Sequence, residues 1–544
     1  LMLKNWAKKI YDWCDSNGYK LTGHYVEEVS LANQMMCNAG IMPFYEYEHI
    51  PGMDWLGRYV GTPIAPKQVG SVCAQLGKKQ VLSEMFACCG WDVNPKELKQ
   101  LAEFMYVDGV NLMCQHLLPY KENGQRKRDY PSHFSSVNPW IEKNFKEFND
   151  YFSVLGELLA NSTEKVNVAV LQPIRSVYFN YKRDDMDGSC ADIDNPFREL
   201  VFKLSNKHIP YHFVDETLLA KYGKVENKQL IMGLCKYDYV ILPKIYTMDK
   251  TTEALLKEYV AQGGKILLAG DKPEYLEWTP YDYPYLKTNT SFEEMIDQLD
   301  FFAEEKDDIR ISYRLDKEGK PYLYVVNCKE DDNIKITVKG YKSFKSYNIL
   351  KDEYEVVSGD LFLEKGQSYI LYFSNEEVKE EKKLSPLTLK DEYEVVGEVE
   401  NYMTLDYPRY STDDKNYSEP LHYMGIFNTL LETRYKGDLY LKYEFDFRTY
   451  RFAGVNKSLN PAACGIFKKA NVIYYPSMVL YNKVLYKLKS YQENPDAMNV
   501  ARCFVRMQNN GLLEKKRSLF YAFDKERYSF VKHTGGTYYL SLNG

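Results

Sequence analysis

Glu84 lies inside a short apolar run, residues 80–86 (QVLSEMF). An ionised side chain in such a run is costly unless it is paired or used. Cleavage of a glycosidic bond uses two carboxyl groups, one protonating the departing oxygen and the other acting as nucleophile or as the base that activates water. Glu84 is the foremost candidate for one of these roles. Glu28, in residues 23–28 (GHYVEE), and Glu46, in residues 41–46 (IMPFYE), are candidates for the other. The same stretches supply His24, Tyr45 and, after the Pro-Gly pair of residues 49–54 (HIPGMD), Asp54 as partners for sugar hydroxyls. Trp91, closing residues 86–91 (FACCGW), would offer an indole for stacking, and His116, Tyr120 and Asp129 extend the set. The plainer readings are a salt-bridged Glu at a strand end and a solvated charged loop around residues 119–131. These carboxylates suit calcium, although no EF-hand spacing is present. A serine or cysteine nucleophile is disfavoured, since there is no GxSxG elbow and the adjacent Cys88 and Cys89 have no identifiable His and Asn partners.

These residues need a scaffold that brings loop ends together. Four apolar runs, residues 19–24 (YKLTGH), 41–46, 80–86 and 109–116 (GVNLMCQH), each precede a loop and a helical stretch. That is the rhythm of β/α units, whose functional groups gather at the C-terminal ends of the strands. The expectation is the C-terminal half of a (β/α)8 barrel over residues 1–160. Residues 161–290 read as a doubly wound, flavodoxin-like α/β domain, with strands near 166–173, 237–243 and 263–270. Its first strand-to-helix turn has no glycine-rich loop, which argues against a bound nucleotide and for a structural role. Residues 291–376 alternate as a small antiparallel β-sandwich. The charged run 376–385 reads as a linker, and residues 386–450 as part of another β-sandwich. Residues 451–544 hold 15 Lys and Arg against 5 Asp and Glu, a basic segment in a chain of net charge −6. The fold class is thus multidomain, α/β plus all-β.

Across 544 residues, 45% hydrophobic and 27% charged content is that of a globular chain, and no apolar run is long enough to span a membrane. The net charge gives no reason to expect nucleic acid as a partner. Aromatic content is high at 15%, with 49 Tyr, which fits sugar stacking and tyrosine-rich sheets alike. Eleven scattered cysteines without a CxxC pair read as free thiols, so a cytoplasmic location is expected, with an export signal lost upstream as the alternative given that the chain starts at Leu1.

In order, GHYVEE, FYEYEHIPGMD, QLG (residues 75–77), LSEMFACCGW, DGVNLMCQHLLPY, NGQRKRDYP and NPW (residues 138–140) resemble the catalytic half of family 106 α-L-rhamnosidases. The second domain is similar to the one after the barrel in those enzymes and in family 42 β-galactosidases. NYMTLDYPRYSTDD (residues 401–414) resembles a family 2-type sugar-binding sandwich. The resemblance implies an inverting, exo-acting glycosidase on terminal sugars of polysaccharide, with Glu84 as a family carboxylate. It implies no obligatory cofactor, and calcium as an optional aid in holding the sugar. A glycosidase of other specificity, β-galactosidase-like, and a noncatalytic carbohydrate-binding protein with a remnant barrel are the competing expectations.

Overall fold

The computed structural model describes residues 1–87, 89, 94–116, 139–378, 408–421, 426, 429–430, 432–435, 437–442, 445–446, 485–487, 528–532 and 537–542. The chain forms two compact units. The first comprises Leu1–Phe86, Asn94–Gln115 and Asn144–Lys382, and the second Ala87–Val93, His116–Lys143 and Lys383–Gly544. The fold is mixed α/β with several separate sheets.

After helical segments up to Tyr47, the first unit has a parallel sheet of three strands in sequential order, β1 (Gly52–Trp55), β2 (Leu82–Met85) and β3 (Leu112–Gln115). Helix Ile64–Leu76 joins β1 to β2, and helix Pro95–Val107 joins β2 to β3, as parallel pairing requires. The earlier helix stops at Gly77, whose φ of 71° is easy only for glycine. The later one starts with Pro95 behind a reciprocal capping box between Asn94 and Glu97. Two of the four expected strands differ. Residues 19–24 contribute only a single parallel bridge, Thr22 to Ile50. Residues 41–46 fall largely in the 3-10 helix Met42–Tyr47, because Pro43 lacks the amide a ladder needs and its ring fixes φ in the helical range. The strand there is GMDW, which follows Pro51 at a position where no ladder amide is required.

Strand alternation gives this sheet two unlike faces. Trp55 packs edge-on against Phe104 at 5.0 Å, and the Ser83 hydroxyl lies 3.3 Å from the Met105 sulfur, so this face is buried on helix Pro95–Val107. Asp54, Glu84 and Cys114 lie on the opposite face and are half-buried or exposed.

Farther along, four parallel strands lie in the order Lys265–Leu268, Tyr239–Leu242, Val168–Leu171, Tyr211–Val214. Every residue of the last three is buried, as expected for a sheet covered on both faces. Two antiparallel sheets follow, one of six strands and one of three. They share an apolar core that includes Phe301, Tyr313, Leu323, Val325, Ile336, Phe344, Leu363 and Leu371. In the second unit, Leu485–Lys487 pairs with Tyr440–Lys442, and Thr537–Leu542 pairs with Phe445–Asp446, so parts of the basic segment complete sheets begun before residue 450. Among the described residues no helix is long and apolar enough to cross a membrane.

Candidate functional site

The register of the first sheet sets Asp54 beside Glu84 and Glu84 beside Cys114. Asn111 ties the start of β2 to β3 with its side chain: its Oδ1 accepts from the Val81 amide at 2.9 Å, and its Nδ2 donates to the Lys79 carbonyl at 2.8 Å. Segment 19–24 runs close against β1, since a Cβ on Gly52 would come within 2.2 Å of the Gly23 carbonyl oxygen. This approach delivers His24, whose Nε2 lies 2.9 Å from Glu84 Oε2. One ligating atom from each of His24, Asp54 and Glu84 lies within 4.8 Å of the others.

Electrostatics follow from this crowding. The hydrogen bond to Glu84 raises the His24 pKa, and the charge of Asp54 adds to the effect. Asp54 is raised to about 6, first by burial; the His24 charge works against that rise and the Glu84 charge with it. Asp54 Oδ1 is buried and has no hydrogen-bond partner.

Behind the cluster, Glu28 is 1% exposed. It accepts from the Asp54 amide at 2.9 Å, the Tyr45 hydroxyl at 3.0 Å and the Tyr25 amide at 3.3 Å. Burial raises its pKa well above the usual carboxylate range. Glu28 and Tyr45 therefore brace the backbone of β1 from inside. Glu46 is not brought to the cluster, as it pairs with Lys221 and accepts from the Tyr222 hydroxyl at 2.7 Å. His116 follows β3 directly and belongs to the second unit. Trp91, Tyr120 and Asp129 lie outside the described residues.

The run that holds Tyr45 and Glu46 also offers Glu48 as a sugar-hydroxyl acceptor or metal ligand. It is buried, accepts from the Gly52 amide at 3.3 Å, and is raised to about 7, chiefly by burial and against its hydrogen bond from Tyr25.

As a metal site, the trio supplies one imidazole and two carboxylates. Calcium takes about six to eight oxygen ligands. The donor set does not compose a calcium cage, and the ion pair between His24 and Glu84 accounts for it without a metal.

No profile of a known protein family matches the chain, and no curated protein matches it. Among solved structures, the chain is similar to a rhamnosidase from Novosphingobium, with 14% identity and a TM-score of 0.49, over 81% of this chain and 45% of that one. It is also similar to a β-galactosidase from the Antarctic haloarchaeon Halorubrum lacusprofundi (11%, TM-score 0.42, 68% of this chain and 66% of that one). A third is α-L-fucosidase isoenzyme 2 from Paenibacillus thiaminolyticus (10%, TM-score 0.39, 62% of this chain and 68% of that one). The chain thus spans less than half the length of the rhamnosidase it matches.

Proposed function

We propose that the His24–Asp54–Glu84 cluster is the acid–base site of a glycosidase, with a terminal α-L-rhamnoside as its substrate. The observation that carries this reading is the pair of carboxyl groups set side by side at the ends of neighbouring parallel strands, one of them raised to about 6. The resemblance of the ordered motifs supplies the sugar. We read β1, β2, β3 and the Thr22 bridge as half of a (β/α)8 barrel, and the parallel order 2-1-3-4 of the next sheet as flavodoxin-like. The antiparallel sheets that share one core are read as a sandwich.

In this mechanism Asp54 holds the proton for the departing oxygen, kept on the carboxyl by burial and by the charge of Glu84 beside it. Glu84, oriented by His24, attacks the anomeric carbon. Its oxygen lies no more than 4.8 Å from that of Asp54. This is near the roughly 5 Å of a retaining pair and short of the about 6.5–9.5 Å that leaves room for an attacking water. The spacing favours retention, whereas the motif resemblance implies inversion. No step is assigned to calcium.

The test is hydrolysis of a panel of aryl glycosides, including the α-L-rhamnoside, by the chain and by Glu84→Gln, with the anomer of the first product read by proton NMR. Turnover lost in the variant supports the site, and a retained anomer supports Glu84 as the nucleophile. An inverted product would remove Glu84 from that role. Sugar binding without turnover, unchanged by Glu84→Gln, would replace the enzyme with a carbohydrate-binding protein.

A further inference from the structure

The four-stranded parallel sheet has a crevice of its own. Strand Val168–Leu171 lies between Tyr211–Val214 and Tyr239–Leu242. The chain therefore leaves it toward one edge and later returns on its other side. Where successive connections part in this way, the loops at the C-terminal strand ends open a cleft, and open α/β sheets bind ligands there. A cavity of about 350 Å³ occupies this place. Arg175 lines it from the helix after Val168–Leu171, and Thr247, Asp249 and Lys250 line it from the connection after Tyr239–Leu242, with Glu277 and Trp278 closing it.

Trp278 is the unusual member. Its indole lies parallel to the Phe179 ring at 5.3 Å with an interplanar angle of 11°, yet the residue is 69% exposed. One face is fixed by stacking and the other is left to solvent. The turn that presents it is tied down from three sides. Glu277 adopts a φ of 55°, the Thr247 hydroxyl donates to the Glu277 carbonyl at 2.6 Å, and the Lys250 ammonium lies 3.0 Å from the Glu277 carboxylate. Across the cavity, Arg175 Nε donates to Asp249 Oδ2 at 3.0 Å and its Nη2 donates to the Thr217 hydroxyl at 2.7 Å.

A flat apolar face ringed by carboxylates, a guanidinium, an ammonium and a hydroxyl matches a pyranose, which has C–H bonds on its faces and hydroxyls around its rim. A nucleotide fits less well. The turn after the first strand, QPIR, has no glycine to let backbone approach a phosphate, and Asp249 and Glu277 would repel one.

We propose that this crevice is a secondary carbohydrate subsite that holds one neutral pyranose unit against Trp278, independent of the His24–Asp54–Glu84 cluster. The test uses the full chain with its six tryptophans replaced by fluorotryptophan, the Trp278 resonance being assigned by Trp278→Phe. Methyl α-L-rhamnoside, methyl β-D-galactoside, methyl α-L-fucoside and ADP are titrated in turn and followed by fluorine NMR. The expected result is a saturable shift of the Trp278 resonance with at least one glycoside, the same in Glu84→Gln as in the parent chain. An unmoved Trp278 resonance with all three glycosides, or a shift with ADP alone, overturns the proposal. Hydrolysis is measured separately, so loss of turnover in Glu84→Gln and silence at Trp278 are distinguishable results.

Discussion

Removing Asp108 should destabilise the first unit in a way that no change of pH relieves. Asp108 ends helix Pro95–Val107, and Arg310 sits on strand Ile309–Leu315 of the six-stranded sheet. Their side chains are 6% and 8% exposed, and Arg310 Nη1 lies 2.5 Å from Asp108 Oδ2. The guanidinium also donates to the Gly61 carbonyl at 3.0 Å and stacks over Phe104 at 4.7 Å. The pair therefore clamps the parallel sheet and its helix to the antiparallel layer. Asp108→Ala strands a buried guanidinium that cannot shed its proton, a loss of about 3–5 kcal/mol. The opposite variant behaves differently. Burial already pushes the Asp108 carboxyl up against the pull of Arg310. In Arg310→Met the orphaned carboxyl can take a proton, and each unit of pH is worth about 1.4 kcal/mol to that escape. Its penalty should shrink by up to about 3 kcal/mol between roughly pH 7 and pH 5, while that of Asp108→Ala stays flat. Asp108→Leu with Arg310→Met should come within about 1 kcal/mol of the parent chain. Urea unfolding of the four proteins at both pH values makes the comparison. A cost under about 1 kcal/mol for Asp108→Ala, or the same pH slope in both single variants, would refute the reasoning.

Three other outcomes are expected. Glu28→Gln should cost under about 1 kcal/mol, because burial already favours the neutral carboxyl, whereas Glu28→Ala, which orphans the Asp54 amide and the Tyr45 hydroxyl, should cost about 2–4 kcal/mol by denaturant titration. His212 is buried, and although burial alone lowers it, hydrogen bonds with Cys235 and Glu164 raise it to about 9. With an unfolded value near about 6.5, its stabilisation is complete below that pH and is lost as pH rises to about 9, on the order of 3 kcal/mol, a loss that His212→Gln should abolish. If Asp54 is the proton donor, the rate constant for hydrolysis should fall as pH rises through about 6, and His24→Gln should move that limb upward, since the His24 charge holds Asp54 down.

The antiparallel strands were the most legible part of the sequence. IRISYRL and PYLYVVN coincide with Ile309–Leu315 and Pro321–Asn327, because an alternating run and a β-branched and aromatic run flank a turn whose glycine, Gly319, takes a φ of 79°. β1 was hidden, since GMDW is four residues long and begins beside a Pro-Gly pair that reads as a turn. Strand Tyr211–Val214 was hidden as well, lying between a 21-residue helix interrupted by Pro196 and a further short helix. Within the candidate site, His24, Asp54 and Glu84 could each be named from their runs. Their meeting could not, because it depends on a sheet register and on the absence of a side chain at Gly52. Glu28 and Glu46 show the limit from the other side. They are the same residue type in similar surroundings, yet one braces β1 and the other pairs with Lys221.

Asn111 has a consequence for how this protein tolerates change. The seating of Glu84's strand against β3 rests partly on an amide side chain that bonds only to the backbone at residues 79 and 81. In genetic terms the cluster has a remote locus. A variant at residue 111 that let β3 and the start of β2 drift would present as a defect of the cluster while leaving all three of its residues intact. Conversely, Cys114, already exposed and one strand from Glu84, could be exchanged for another polar residue without disturbing that alignment, which makes it the natural entry point for redesigning the face.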